Sequence, residues 1–288
     1  MNLDHFGMDT ITLAGPLEAK LRAVREARFT QIMLSAQDLV GHPGGEAAAI
    51  AAVHKSGLRV TGFQVLRDFE GLDGHLHAYK VDVAKAMLQM CRALGSRILL
   101  VCSSASPHAS ADVRRVVQDL QKLAMLAVPL DIRIAYEALS WGRHVNEYTQ
   151  AWEIVQSAGR ENLGLALDSF HILANRTPLD ALEEIEPKKI FIVQLSDFLW
   201  QEVRSAEDRI ETARHSRVFP GEGVHSEKVI ELVRQLDETG YRGDYSFEVF
   251  NDDYRQLPLP LVAERARQSV KWITGRVARR SLPARRRA

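Results

Sequence analysis

Short apolar, β-rich runs alternate with longer stretches of helical periodicity along the whole chain. The predicted pairs are strand 10–14 with helix 17–28, strand 31–34 with helix 46–55, strand 59–66 with helix 76–94, and strand 96–102 with helix 111–128. They continue as strand 132–137 with helix 148–158, strand 163–168 with a short helix 179–184, strand 189–195 with helix 226–239, and strand 244–250 with helix 261–273. Pro16 opens the first helix, where its missing N–H leaves no extra orphan. Strict strand–helix alternation implies a parallel sheet covered by helices. Eight such units with no linker between them predict an α/β protein of one domain, a closed (β/α)8 TIM barrel. The competing open, doubly wound sheet lacks support, because no Gly-rich phosphate loop follows the first strand.

Two segments fall outside the repeat. The connection 197–223 is long and carries its own helical stretch near 202–213, as active-site lids often do. The barrel is expected to span residues 1–275. The remainder, 276–288, has six arginines and a proline and is expected to be a frayed basic tail.

Composition narrows the class. Of the 288 residues 46% are apolar and 26% charged, an ordinary globular balance. Lys plus Arg equals Asp plus Glu at 37 each, so no global field favours nucleic acid or an acidic membrane. Cys91 and Cys102 are too few for a disulfide framework and are expected as small buried apolar residues. No apolar run approaches the ~20 residues that span a bilayer. The start, Met1-Asn-Leu-Asp-His5, lacks a signal-peptide pattern. The expectation is a cytoplasmic protein acting on a small molecule, with neither nucleic acid nor membrane as partner and with a homodimer left open.

In a TIM barrel catalytic groups sit where strands end and βα loops begin. The polar residues at the ends of predicted strands five to eight are Glu137, Asp168, Gln194 and Glu248. Two positions earlier stand Ala135, Ala166, Ile192 and Ser246, three of them small, as a crowded barrel interior requires. By strand parity the four polar groups therefore point inward, while Ile134, Tyr136, Leu165, Leu167, Phe191, Val193, Phe247 and Val249 face the helices. Three converging carboxylates repel one another. One divalent ion bound by Glu137, Asp168, Gln194 and Glu248 resolves that conflict, and oxygen donors suit magnesium, manganese or cobalt. The alternative is that each acid pairs separately with a loop arginine.

His171, three residues after Asp168, is expected on the loop leaving the sixth strand, as a general base or acid. His144 belongs to the same mouth and is a candidate substrate contact. Arg67, after the third strand, and Arg217, late in the seventh connection, could clamp a substrate carboxylate or pair with loop acids.

These residues lie in runs that resemble the xylose-isomerase-like TIM-barrel superfamily of sugar isomerases, epimerases and lyases, and most of all the bacterial 3-dehydroshikimate dehydratases. The longest run is Tyr136-Glu-Ala-Leu-Ser-Trp-Gly-Arg-His-Val-Asn146; others are 63–71, 100–103, 167–171, 189–195, 217–223 and 246–251. The resemblance implies Glu137, Asp168, Gln194 and Glu248 as metal ligands, His171 as catalytic histidine, and Arg67 and Arg217 as holders of the substrate's carboxylate and hydroxyls. Gln194 resembles the dehydratase branch, since ketose 3-epimerases usually place histidine there. The implied reaction is loss of water from 3-dehydroshikimate through an enolate, giving protocatechuate. The chain departs from the dehydratases at 34–45, where an inserted turn replaces an acidic, amide-rich run, and at 198–214. The dioxygenase-like domain to which such dehydratases are often fused is not expected.

The rival reading is a sugar, ketose or inosose isomerase or epimerase on the same metal, with Glu137 and Glu248 doubling as acid and base. A phosphodiesterase or repair endonuclease would need more mouth histidines and a basic face. A barrel that binds without turnover would keep the ligand set and lack the need for His171.

Overall fold

The structure is a computed structural model describing residues 3–280. Eight parallel strands close into a barrel: β1 Phe6–Asp9, β2 Gln31–Ser35, β3 Arg59–Leu66, β4 Ile98–Cys102, β5 Arg133–Glu137, β6 Leu163–Asp168, β7 Ile190–Leu195 and β8 Asp244–Phe247. β1 pairs β8 and β2, and β8 pairs β7, so sequence neighbours are spatial neighbours around the ring. The outer helices are α1 Leu17–Glu26, α2 Ala36–Val40, α3 Gly45–Ser56, α4 Gly74–Ala93, α5 Val113–Ala127, α6 Tyr148–Ala158, α7 Ser169–Asn175, α8 Ala206–His215, α9 Ser226–Thr239 and α10 Leu259–Arg280. The expected barrel is observed. No helix among the described residues is long and apolar enough to cross a membrane.

Two apolar layers follow from strand parity. Ile134, Tyr136, Leu165, Leu167, Val193, Phe247 and Val249 join the large core between strands and helices. Ile98, Leu100, Ala135, Ala166 and Ile192 fill the barrel interior. Phe191 departs from expectation: it packs inside with Ile192. The β6–β7 register shifts between Leu165 and Ala166, which pair with Ile190 and Ile192, and this irregularity skips Phe191 and turns it inward. Arg133 stacks over its ring at 4.5 Å. Gly164 makes room for that ring, because a Cβ there would stand 2.4 Å from the Lys189 carbonyl and 2.7 Å from Phe191.

The first strand was expected at 10–14, but β1 lies earlier and residues Thr10–Thr12 form a 3-10 turn. The β-branched alternation of Thr10, Ile11 and Thr12 imitates a strand, whereas the true one has four residues and a glycine inside. Gly7 is needed there, because a Cβ would meet the Gln31 side chain at 2.9 Å. The threonines work as staples: Thr12 Oγ1 donates to the Phe247 carbonyl at 3.0 Å and accepts from the Val249 N–H at 2.9 Å, closing the ring.

Elsewhere the differences are local. The short helix expected at 179–184 is a 3-10 turn, Asp180–Glu184. The helix in the seventh connection begins at Ala206, where Ser205 and Asp208 form a reciprocal capping box. Asp197–Phe198 and Arg217–Val218 pair antiparallel at the base of that excursion. α10 runs through residue 280, past the boundary expected at 275, and Arg276 pairs with Glu227 at 2.6 Å. The rest of the basic tail, 281–288, lies outside the described residues. Replacing Gly164 with alanine is expected to cost roughly 1–3 kcal/mol by overpacking, read as a lower denaturant midpoint with an unchanged slope.

Candidate active site

The C-terminal ends of the strands bring the predicted residues together. Glu137 ends β5, Asp168 ends β6, Gln194 lies one residue before the end of β7, and Glu248 follows β8; all four are buried. Register aligns Asp168 with Gln194 and Gln194 with Ser246, so these side chains share the inward face. One oxygen each of Glu137 and Asp168 and a ring nitrogen of His171 lie within 4.8 Å of one another. Glu248 stands slightly apart, its Oε1 accepting from Gln64 Nε2 at 3.1 Å and its Oε2 from Arg217 Nη1 at 3.0 Å.

His171 sits on α7, not on a loop as expected. Asp168 makes that helix: its Oδ1 accepts the Phe170 N–H at 2.7 Å as N-cap, while Oδ2 faces the site. The imidazole is buried between Trp141 and Phe170, with both rings edge-on. Nε2 lies 3.8 Å from Glu137 Oε1 and 3.6 Å from Asp168 Oδ2. At the other nitrogen Ser140 offers both a donor and an acceptor, its N–H at 3.1 Å and its Oγ at 3.0 Å from Nδ1. The Ser140 N–H can only donate, so it fits the tautomer with Nδ1 bare and Nε2–H toward the acids; the Nδ1–H tautomer would use Oγ alone. Burial, with help from Arg217 and Arg67, pushes the His171 pKa well below its usual value, so the ring is neutral.

The acids respond in the opposite sense. Burial, then the Glu248 and Asp168 charges, raise Glu137 to about 8. Burial raises Glu248 to about 7 although Arg217 opposes it. Arg217 is itself buried, with Nη1 donating to Asp168 Oδ2 at 2.7 Å, Nε donating to the Ala213 carbonyl at 3.0 Å, and its plane over Phe170 at 4.5 Å. The alternative of an acid–arginine pairing is thus realised for Asp168 and Glu248.

Gln194 has no such partner. Its Nε2 and Oε1 are both buried without a hydrogen bond, as is Glu137 Oε1. Orphaned buried amides are costly, and here they face clustered carboxylates. That donor set fits a divalent cation, with amide and carboxylate oxygens as ligands and the His171 nitrogen alongside.

A cavity of about 280 Å³ opens above this floor, lined by Gln64, Cys102, Glu137, His171, Arg217 and Glu248, with Arg67 at its mouth. His144 is not brought to it; the residue is exposed and its Nε2 lies 3.0 Å from the Ala109 carbonyl. Three residues escaped the sequence reading. Asp9 ends β1 fully buried, and burial together with Glu248 holds its pKa well above the carboxylate range. Gln64 on β3 bridges Asp9 and Glu248 through one Nε2. Cys102 is buried as expected, yet its thiol donates to Glu137 Oε2 at 2.9 Å. Polar character at the ends of strands one, three and four was the available signal for all three.

Residues 21–275 match the description of xylose isomerase-like TIM barrels. The chain belongs to that family. Within the family it is 36% identical to a 3-dehydroshikimate dehydratase of Pseudomonas putida over 249 residues, 86% of this chain and 38% of the relative. It is 29% identical to an inosose isomerase of Bacillus subtilis over 213 residues, 72% of this chain and 71% of the relative. The chain thus spans about two fifths of the length of the dehydratases of Pseudomonas that it matches. Among solved structures a xylose isomerase-like TIM barrel/4-hydroxyphenylpyruvate dioxygenase fusion protein superposes with a TM-score of 0.88 at 32% identity, over 98% of this chain and 45% of its own. A protein solved with a bound zinc atom shares the fold at a TM-score of 0.81 and 22% identity, over 95% of this chain and 99% of its own.

Unfolded glutamates titrate near ~4.3, so between that pH and the folded values of about 7 and about 8 the metal-free protein holds extra protons. Its stability should fall as pH rises through this window. Manganese added to chelator-stripped protein near neutral pH should raise the melting temperature and release protons, visible as buffer-dependent binding heats; buffer-independent heats would contradict the assignment. Cys102→Ala removes the donor that turns Glu137 Oε1 toward the site, and is expected to weaken manganese binding by roughly 10–100-fold in the same calorimetry.

Proposed function

We propose that the chain is a divalent-metal-dependent lyase that removes water from 3-dehydroshikimate or a closely related polyhydroxy ketone acid. The observation that carries this reading is the neutral, buried His171 beside Glu137 Oε1, which like the Gln194 amide has no hydrogen bond, beneath a small cavity. The dehydratase relatives support the substrate, and Gln194 at the third ligand position fits the dehydratase branch of the resemblance.

Glu137, Asp168, Gln194 and Glu248 would hold the ion, which supplies electrostatic stabilisation of the ketone oxygen as negative charge develops there. His171 does the proton work. To act as base the ring would take the tautomer whose Nδ1–H is donated to Ser140 Oγ, giving up the Ser140 N–H it accepts at rest, so that Nε2 is bare and accepts the proton α to the ketone. The C–H electron pair becomes the enolate double bond. Re-formation of the ketone expels the β-hydroxyl, to which His171 Nε2 returns its proton, so that water leaves and the imidazole is neutral again. The apolar cradle of Trp141 and Phe170 keeps the ring from being charged beforehand. Arg217 cannot serve as a two-pronged carboxylate clamp while Nε and Nη1 are spent within the protein; only Nη2 is left for the cavity.

An isomerase or epimerase of inosose or a ketose is the second reading, favoured by the inosose isomerase relatives. It would use the same floor, with Glu137 and Glu248 exchanging protons.

The test is protocatechuate formation from 3-dehydroshikimate by stripped and manganese- or magnesium-loaded protein. We expect metal-dependent turnover, reduced at least roughly 100-fold in His171→Ala, the scale of a lost general acid–base. Glu248→Ala is expected to lose both turnover and tight metal binding. A protein that binds one ion and forms no product with any metal, yet converts inosose without loss of water, would replace the first reading with the second.

A further inference from the structure

One amide at the floor is only half used. Gln64 stands near the end of β3, level with Ser35 at the end of β2, and its nearly buried side chain forms part of the cavity wall. Its Nε2 is spent, donating to Asp9 Oδ2 and, at 3.1 Å, to Glu248 Oε1. Its Oε1 meets no donor among the described residues, yet it is not one of the sealed, orphaned atoms, as both ends of the Gln194 amide are. The space that the Gln64 side chain lines is the cavity, so Oε1 is an acceptor left open to a ligand.

Neighbours decide which end of an amide faces which way. Turned over, Gln64 would set Oε1 against two carboxylates. Asp9 is the firmer of the two holds. It is wholly buried at the end of β1, and its Oδ1 accepts the Ile11 N–H at 2.9 Å as cap of the turn that follows, so it cannot swing away. Glu248 already answers Arg217 through Oε2 at 3.0 Å, and an ion at the floor would draw on its charge as well. Asp9 is then what keeps Nε2 facing inward.

We propose that Gln64 reads a hydroxyl of the substrate through Oε1, and that Asp9 is the positioning residue that keeps this oxygen turned to the cavity. The ligand class is a molecule with a free O–H beside the oxygens seated at the floor. On the dehydratase reading, on which this assignment rests, that O–H is the departing β-hydroxyl. Gln64 accepts its hydrogen and so fixes the direction of the oxygen's lone pairs. As that oxygen takes its second proton from His171, its own O–H becomes more acidic and the bond to Oε1 tightens. Such a contact is stronger in the transition state than before it.

The experiment compares binding of gallate and protocatechuate to the manganese-loaded protein by calorimetry. Gallate carries three adjacent ring hydroxyls, matching the three adjacent ring oxygens of 3-dehydroshikimate, and protocatechuate carries two. Both share the carboxylate, so their affinity ratio isolates the third oxygen without requiring turnover. The wild type is expected to prefer gallate by roughly three- to tenfold, the scale of one hydrogen bond. Gln64→Met should remove that preference. Asp9→Leu, which leaves Gln64 in place but free to turn, should remove most of it while protocatechuate affinity and cooperative melting hold. Equal affinities in the wild type, or a preference kept in Gln64→Met, would overturn the assignment, since Oε1 would then meet only water. A loss shared equally by both ligands would mark damage to the floor and overturn it too. A preference lost in Gln64→Met but kept in Asp9→Leu would overturn the part given to Asp9. A preference lost in both variants of a protein inactive on 3-dehydroshikimate would leave Gln64 as a reader of hydroxyls and overturn only the dehydratase reading.

Discussion

Four buried carboxylates, those of Asp9, Glu137, Asp168 and Glu248, meet at one end of the barrel, and the buried guanidinium of Arg217 touches only two of them. Much else at that end answers this imbalance. Gln64 donates to Asp9 and Glu248 at once, Cys102 donates to Glu137, and Asp9, Glu137 and Glu248 hold their protons past the normal range. A buried cluster of this kind is poor design for stability. It becomes sensible when a cation of higher charge than a guanidinium completes it, because the protons then leave and the orphaned amide of Gln194 gains a partner.

The barrel makes such a concentration of charge tolerable. Parallel strands ending together place one inward side chain from each at the same height, and the interior beneath is dry and filled by Ile98, Leu100, Ala135, Ala166 and Ile192. The floor is therefore held by strands rather than loops, with Asp168 doubling as the cap of α7 and so fixing His171 by one turn of helix. Geometry of this kind changes little when loops are exchanged. The chain is similar in sequence both to a relative named as a dehydratase and to one named as an isomerase.

The alternation of strand and helix was legible in sequence because each strand of the barrel is buried on both faces and each helix on one, and the two periods differ. β1 was misplaced because four residues carry too little pattern to outweigh the adjacent β-branched Thr10, Ile11 and Thr12. Phe191 was assigned to the wrong face because a register irregularity breaks strict alternation without leaving a mark in local composition. Among the site residues, those at strand ends with an abrupt polar change were readable. Asp9 was lost with its strand, and Gln64 and Cys102 were lost because their importance lies in what they donate to, which parity alone does not reveal. His144 was drawn in by its neighbourhood in sequence, yet its loop turns it toward Ala109.

The buried floor does not by itself account for recognition. The floor recognises oxygen: any α-hydroxyketone, cyclic or open, offers the oxygen pair and acidic C–H that Glu137, Gln194 and His171 can address, so the floor alone cannot tell an acid from a neutral sugar. Discrimination must come from a group that only one substrate possesses, met by side chains outside the floor. Such side chains belong to the loops at the strand ends, which as a class tolerate change without disturbing the strands that hold the floor.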